Sequence, residues 1–182
     1  MSKQALIIID IQNDYFPGGK WPLVGADQAA DNAARLLAAA RQRGELVVHV
    51  RHEFDSVDAP FFAPGSLGAA IHSKVEPVTG EPVVLKHKVN AFLGTDLELT
   101  LDRHGVEALT IVGSMSHMCI DAATRAAADL GYTVTVAHDA CATLPLEFNG
   151  KPVPAAQVHD SAMAALAFAY ASVVKTDELL KN

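Results

Sequence analysis

A chain of 182 residues, half of them hydrophobic and 19% charged, can bury one sizeable core and would be cramped as two domains, so a single domain over 1–182 is expected. Its formal net charge of −7, with no basic cluster, argues against a nucleic-acid-binding or membrane-surface protein. The first apolar run, residues 5–9, is too short for a signal-peptide core or a membrane span. Two cysteines make no disulfide framework, so a reducing, cytoplasmic location is expected, with a Cys119–Cys141 bridge as the alternative.

In chain order, "ALIII" (5–9) is a strand by its β-branched content and stops at Asp10. Residues 27–44 carry apolar spacing on one helical face, begin with an aspartate and end at Gly44. "ELVVHV" (45–50) is the next strand. An irregular stretch over about 51–81 holds most of the prolines and several aromatics, and "PVVLK" (82–86) is a third strand. Residues 95–105 read as a helix with Thr95 as cap, 108–113 as the fourth strand, and 118–131 as an alanine-rich helix closed by Gly131. "YTVTVA" (132–137) is the fifth strand, 154–171 a helix with Pro154 near its first turn, and 172–175 a short last strand.

Strands alternating with helices of this length imply right-handed crossovers. The expected fold is therefore a three-layer αβα, Rossmann-like domain, with a mostly parallel sheet of about six strands and helices on both faces. In such sheets ligands collect beyond the carboxyl ends of the strands. Three reactive residues fall there: Asp10 ends the first strand, Lys86 ends the third, and Cys119 lies six residues past Gly113, where the fourth gives way to a helix. Singly, each has an ordinary reading as a turn cap, a solvated strand end or a small buried thiol. Together they make a coherent set. Lys86 and a helix start would favour a thiolate, and Asp10 could take the thiol proton and return it to a leaving group. Backbone N–H groups of Cys119 and of a residue one turn earlier could hold the oxyanion that attack on a carbonyl creates.

Three blocks, "ALIIIDIQNDYFPGG", "VVLKHKVNAFLGTDLELTL" and "LTIVGSMSHMCIDAATRAAADLGYTVTVAHDACAT", resemble the isochorismatase-like cysteine hydrolases, which include nicotinamidases, N-carbamoylsarcosine amidohydrolases and isochorismatases. The resemblance runs essentially end to end. It implies a triad of Asp10, Lys86 and Cys119, with Lys88 as the competing lysine. It also implies a non-proline cis peptide before the cysteine, placed at Ser114–Met115, which would turn the Met115 N–H into an oxyanion hole beside that of Cys119. Family members usually form dimers or tetramers, so a homodimer or homotetramer is expected.

The departures bear on substrate. Nicotinamidases of this superfamily bind a metal through Asp-x-His and further histidines after the second strand, whereas this chain reads "HVRHEFDSVDAPFF" there. His49 and His52 differ by an odd number, so in a strand they face opposite sides and cannot share an ion. His72 and His87 are isolated. No metal and no other cofactor is therefore expected. Candidate pocket residues for a small, flat, mostly apolar substrate are Gln12, Phe16, Trp21, Phe54, Phe61, Phe62 and Phe92. His117 would touch substrate or an adjacent subunit, and Cys141, read as lying past the fifth strand, would be structural. The expected activity is hydrolysis of an amide, ureido or lactam C–N bond through a thioester. The alternatives are vinyl ether hydrolysis by Asp10 and Lys86 without the thiol, or a non-enzymatic thiol redox or binding protein. The "SHMC" segment resembles a subgroup that contains streptothricin hydrolase.

Overall fold

In the computed structural model, which describes residues 3–181, the β-branched runs enter one six-stranded, all-parallel sheet. Its strands are β1 (Lys3–Ile9), β2 (Leu46–His52), β3 (Val83–Lys86), β4 (Val106–Ser114), β5 (Thr133–Ala142) and, after a small hairpin of β6 (Leu146–Phe148) and β7 (Lys151–Val153), β8 (Ser172–Val174). The order across the sheet is β3-β2-β1-β4-β5-β8. β1 is central, and residues 5–9 are buried without alternation because both of its faces are covered, as parallel strands require.

The helices are α1 (Ala26–Arg43), α2 (Leu97–His104), α3 (Asp121–Asp129), α4 (Ala155–Ala169) and the short α5 (Thr176–Leu179). One face of the sheet packs Ile7, Ile9, Val48 and Val50 against Leu97 and Leu101 of α2, Ala123 and Ala127 of α3, and Met163 and Leu166 of α4. The other packs Leu6, Ile8 and Val47 against Ala33, Leu36 and Leu37 of α1, with Leu179 and Leu180 at the α5 end. The three-layer expectation therefore holds, with the site at the edge where both layers end.

Several boundaries differ from the pattern reading, each for a local reason. β2 runs on to His52, so both histidines of that stretch lie in strand. β5 continues to Ala142, where Cys141 pairs with Gly113, so Cys141 is inside the strand rather than past it. The stretch read as one helix over 118–131 opens with a wide π-type turn, Ser116–Ile120, before α3 begins. α2 starts beyond Thr95: its hydroxyl donates to the Ala91 carbonyl at 2.6 Å and accepts from the Leu97 N–H at 3.3 Å. The β6–β7 hairpin turns on Asn149–Gly150, both at positive φ, the two-residue geometry that Asn-Gly favours.

Candidate active site

β1 and β4 adjoin at the point where the strand order reverses, the place where open α/β sheets form ligand crevices. Beyond Ile9 the chain turns at Asp10, which adopts a left-handed φ of 52° and donates its N–H to the Val50 carbonyl at 2.9 Å. Across from Ile9 stands Gly113, with φ of 126°. A Cβ there would lie 1.9 Å from the Ile9 carbonyl oxygen, so only glycine lets the two strands approach. The Ser114–Met115 peptide that follows is cis. In the turn after it, the Met115 carbonyl accepts from the N–H groups of Met118 at 3.0 Å and Ile120 at 3.2 Å, on either side of Cys119. Ser116 ties this turn down, donating to the Ala142 carbonyl at 3.3 Å and lying 2.8 Å from His159 Nδ1.

Asp10, Lys86 and Cys119 come together here, 1%, 0% and 6% exposed. Lys86 Nζ is 2.8 Å from Asp10 Oδ2 and donates to Cys119 Sγ at 3.3 Å. It also donates to the Lys88 carbonyl at 3.1 Å and meets His52 Nδ1 at 2.9 Å. Lys88, the competing lysine, contributes only that carbonyl, and its side chain is exposed. The Asp10 carboxylate also meets the Cys119 thiol, which places it to take the thiol proton.

The electrostatics correct one expectation. Burial first, and then the Asp10 charge, push the Cys119 thiol up to about 12 against the opposing pull of Lys86. Lys86 acts in the expected direction, favouring the thiolate, but burial outweighs it and holds the thiol above its ordinary range. Burial also raises the Asp10 carboxyl, with Lys86 pulling it back. Burial alone would lower Lys86, but the Asp10 carboxylate and the hydrogen bonds Lys86 donates to Asp10 and the Cys119 sulfur outweigh it and leave the ammonium above its ordinary range.

The candidate pocket residues divide. Gln12 is a structural clamp rather than a substrate contact: its Nε2 donates to the carbonyls of His52 at 2.8 Å and Ala69 at 2.7 Å, and its Oε1 accepts from the His52 N–H at 2.8 Å. Trp21, Phe54, Phe61 and Phe62 form one aromatic cluster with Tyr15, in which Trp21 stacks on Phe61 at 4.9 Å and Phe54 meets Phe61 edge-on at 5.1 Å. Phe16 stacks on His72 at 3.7 Å. Phe92 is separate, packed on the opposite face of the sheet and 6.3 Å from the Tyr132 ring. His117 bonds Thr143 Oγ1 at 2.7 Å and lines a cleft of about 370 Å³ with Asp121, Leu146 and Val158. The histidines of the second strand point apart, His49 to Glu81 at 2.8 Å and His52 to Lys86, while His87 meets the Glu53 carbonyl at 2.7 Å. Among the described residues no group of three or more His, Cys, Asp or Glu side chains is gathered to hold a metal ion.

Three residues near the site escaped the sequence reading. The sequence pattern presents His52 only as a candidate metal ligand, yet its register partner across β2 and β3 is Lys86, a pairing that aligning the strand ends can show. Tyr15 is buried, and its phenol is raised by burial and then by the charge of Asp10, in whose field it lies. Asp14 anchors the loop: it accepts from the N–H groups of Lys20 at 3.1 Å and Phe62 at 2.7 Å, and a Cβ on Gly68 would collide with its carboxylate.

A family model described as an isochorismatase domain matches residues 4–178. The chain is 48% identical over 177 residues to an uncharacterized isochorismatase family protein, YddQ, of Bacillus subtilis, covering 97% of this chain and 98% of that one. It is 35% identical over 177 residues to streptothricin hydrolase of Streptomyces noursei, covering 97% of this chain and 60% of that protein. Among solved structures, a protein described as an isochorismatase-type hydrolase from Oleispira antarctica superposes with a TM-score of 0.96 at 59% identity, covering 100% of this chain and 97% of that one.

Proposed function

The chain belongs to the isochorismatase family, and from that premise we propose that it is a cysteine-dependent hydrolase of a small amide, ureido or lactam C–N bond. The observation that carries the reading is the Lys86 ammonium, fully buried and in contact with both a carboxylate and a thiol. Vinyl ether hydrolysis has no use for a thiol in that position.

With substrate bound, Asp10 takes the proton from Cys119 as sulfur attacks the carbonyl carbon, and Lys86 balances the charge that moves onto sulfur. The N–H groups of Met115 and Cys119 hold the oxyanion. When the C–N bond breaks, Asp10 returns its proton to the departing nitrogen and a thioester remains. Water adds to the thioester with Asp10 again as base, and the thiol is regenerated. The aromatic cluster of Tyr15, Trp21 and Phe61 offers the apolar wall for such a substrate.

The test is ammonia or amine release across a panel of small amides, ureido compounds and lactams, with intact-mass detection of an acyl adduct on the enzyme. Cys119→Ala is expected to abolish both turnover and adduct, a loss of at least about 10³-fold in kcat. Turnover by Cys119→Ala at the wild-type rate would refute covalent catalysis.

A further inference from the structure

We propose that His52 is a positioning residue of this site: a neutral imidazole whose Nδ1 accepts from Lys86 and thereby aims the ammonium at Asp10 and Cys119. The assignment rests on the Asp10–Lys86–Cys119 reading given above.

Geometry supplies the argument. His52 and Lys86 are register partners at the ends of adjacent parallel strands, and Nδ1 lies 2.9 Å from Nζ. An ammonium has three N–H groups and nothing to accept with, so Nδ1 must be the acceptor and the ring proton must sit on Nε2. Nε2 is buried with no hydrogen-bond partner among the described residues. The contact with Lys86 is therefore the polar use the ring has here. Four acceptors surround three N–H groups: Asp10 Oδ2, His52 Nδ1, the Lys88 carbonyl and Cys119 Sγ. Holding one N–H direction at His52 and the Lys88 carbonyl restricts rotation of the ammonium and leaves the others for the carboxylate and the sulfur.

The residue is held at its backbone by Gln12 and at its ring by Phe54. The Gln12 side chain bonds both the N–H and the carbonyl of His52, and the Phe54 ring meets the imidazole edge-on at 4.7 Å. Burial first, then the charge of Lys86, lower the imidazole to about 4, so it stays an acceptor at neutral pH. A positively charged ring could not accept from an ammonium at all.

The experiment compares wild type with His52→Asn, whose Oδ1 falls near the place of Nδ1, and His52→Phe, which keeps the shape without an acceptor. Iodoacetamide labelling of Cys119 at fixed pH is read by peptide mass, and kcat and KM are measured on any amide the panel identifies. His52→Phe is expected to slow labelling and kcat by about tenfold or more with KM changed less than about threefold, while His52→Asn stays within about threefold of wild type in each. Equal losses in both variants, or none in His52→Phe, would overturn the assignment. Should His52→Phe fail to fold, His52→Gln replaces it, since its amide reaches the Nε2 position; labelling that matches His52→Asn would then count against the role. If labelling responds as expected while no panel member is turned over, His52 keeps its role and the hydrolase reading is the one that fails.

Discussion

Lys86 shows what one buried charge can hold together. Its ammonium is sealed from water beside Asp10, and removing either partner strands the other in a medium that cannot solvate it. Lys86→Met is expected to cost about 3–5 kcal/mol in urea unfolding at neutral pH, and Asp10→Asn a comparable amount. The double variant, which leaves no lone charge, is expected to cost well under the sum of the two. Additive losses would show that the 2.8 Å contact carries no coupling. Asp10, Lys86 and Cys119 could be read from the sequence because each is a reactive type at or just beyond a strand end of a recognisable α/β pattern. The upward shift of the Cys119 thiol could not, since burial outweighs the pull of Lys86 and burial is set by the whole fold. The role of Gln12 was hidden for the same reason: its type suggested a polar pocket group, and only the packed backbone around it shows the amide fully engaged.

At the scale of elements, the close approach of β1 to β4 sets where Asp10 and Cys119 stand. Gly113→Ala would press a methyl group into the Ile9 carbonyl at a positive φ, whereas Gly131→Ala, also at positive φ, meets nothing within 4 Å. The first substitution is expected to cost more than about 4 kcal/mol or to prevent folding, and the second only about 1–2 kcal/mol of backbone strain. Thermal and urea unfolding of the pair separate steric collision from strain, and equal losses would mean that the strands can part to admit the methyl. Strong β-branched runs and alanine-rich helices were legible because local preference and burial agree there. The β6–β7 hairpin carried a legible Asn-Gly turn, but its strands are three residues each, too short for a periodicity to stand out, and β6 is exposed throughout. The turn at Ser116–Ile120 had no signal of its own, because its shape follows from the strand and helix it joins.

Across the molecule, five histidines shift in one direction. Burial lowers His49, His52, His72, His117 and His159, so each takes up a proton more readily in the unfolded chain than in the folded one. Stability therefore rises with pH through the window below 6.5 and is lost on acidification toward the folded values. For His52, held down to about 4, the linkage between pH 7.5 and pH 5 amounts to a loss of about 2 kcal/mol. Glu81, drawn down to about 2 by Arg41 and bonded to His49, extends the decline below the ordinary carboxylate range. Asp10 acts in the opposite sense, because its raised carboxyl lets the folded state bind a proton first. The five histidines are expected to prevail over that single group between pH 7.5 and pH 5, so urea midpoints should fall across this interval. His52→Asn removes one titrating group while keeping the acceptor for Lys86, and its fall is expected to be smaller than wild type by about 2 kcal/mol. An unchanged fall in His52→Asn would mean that the imidazole carries its ordinary proton affinity in the folded protein, and with it a charge beside Lys86 that the site could not hold.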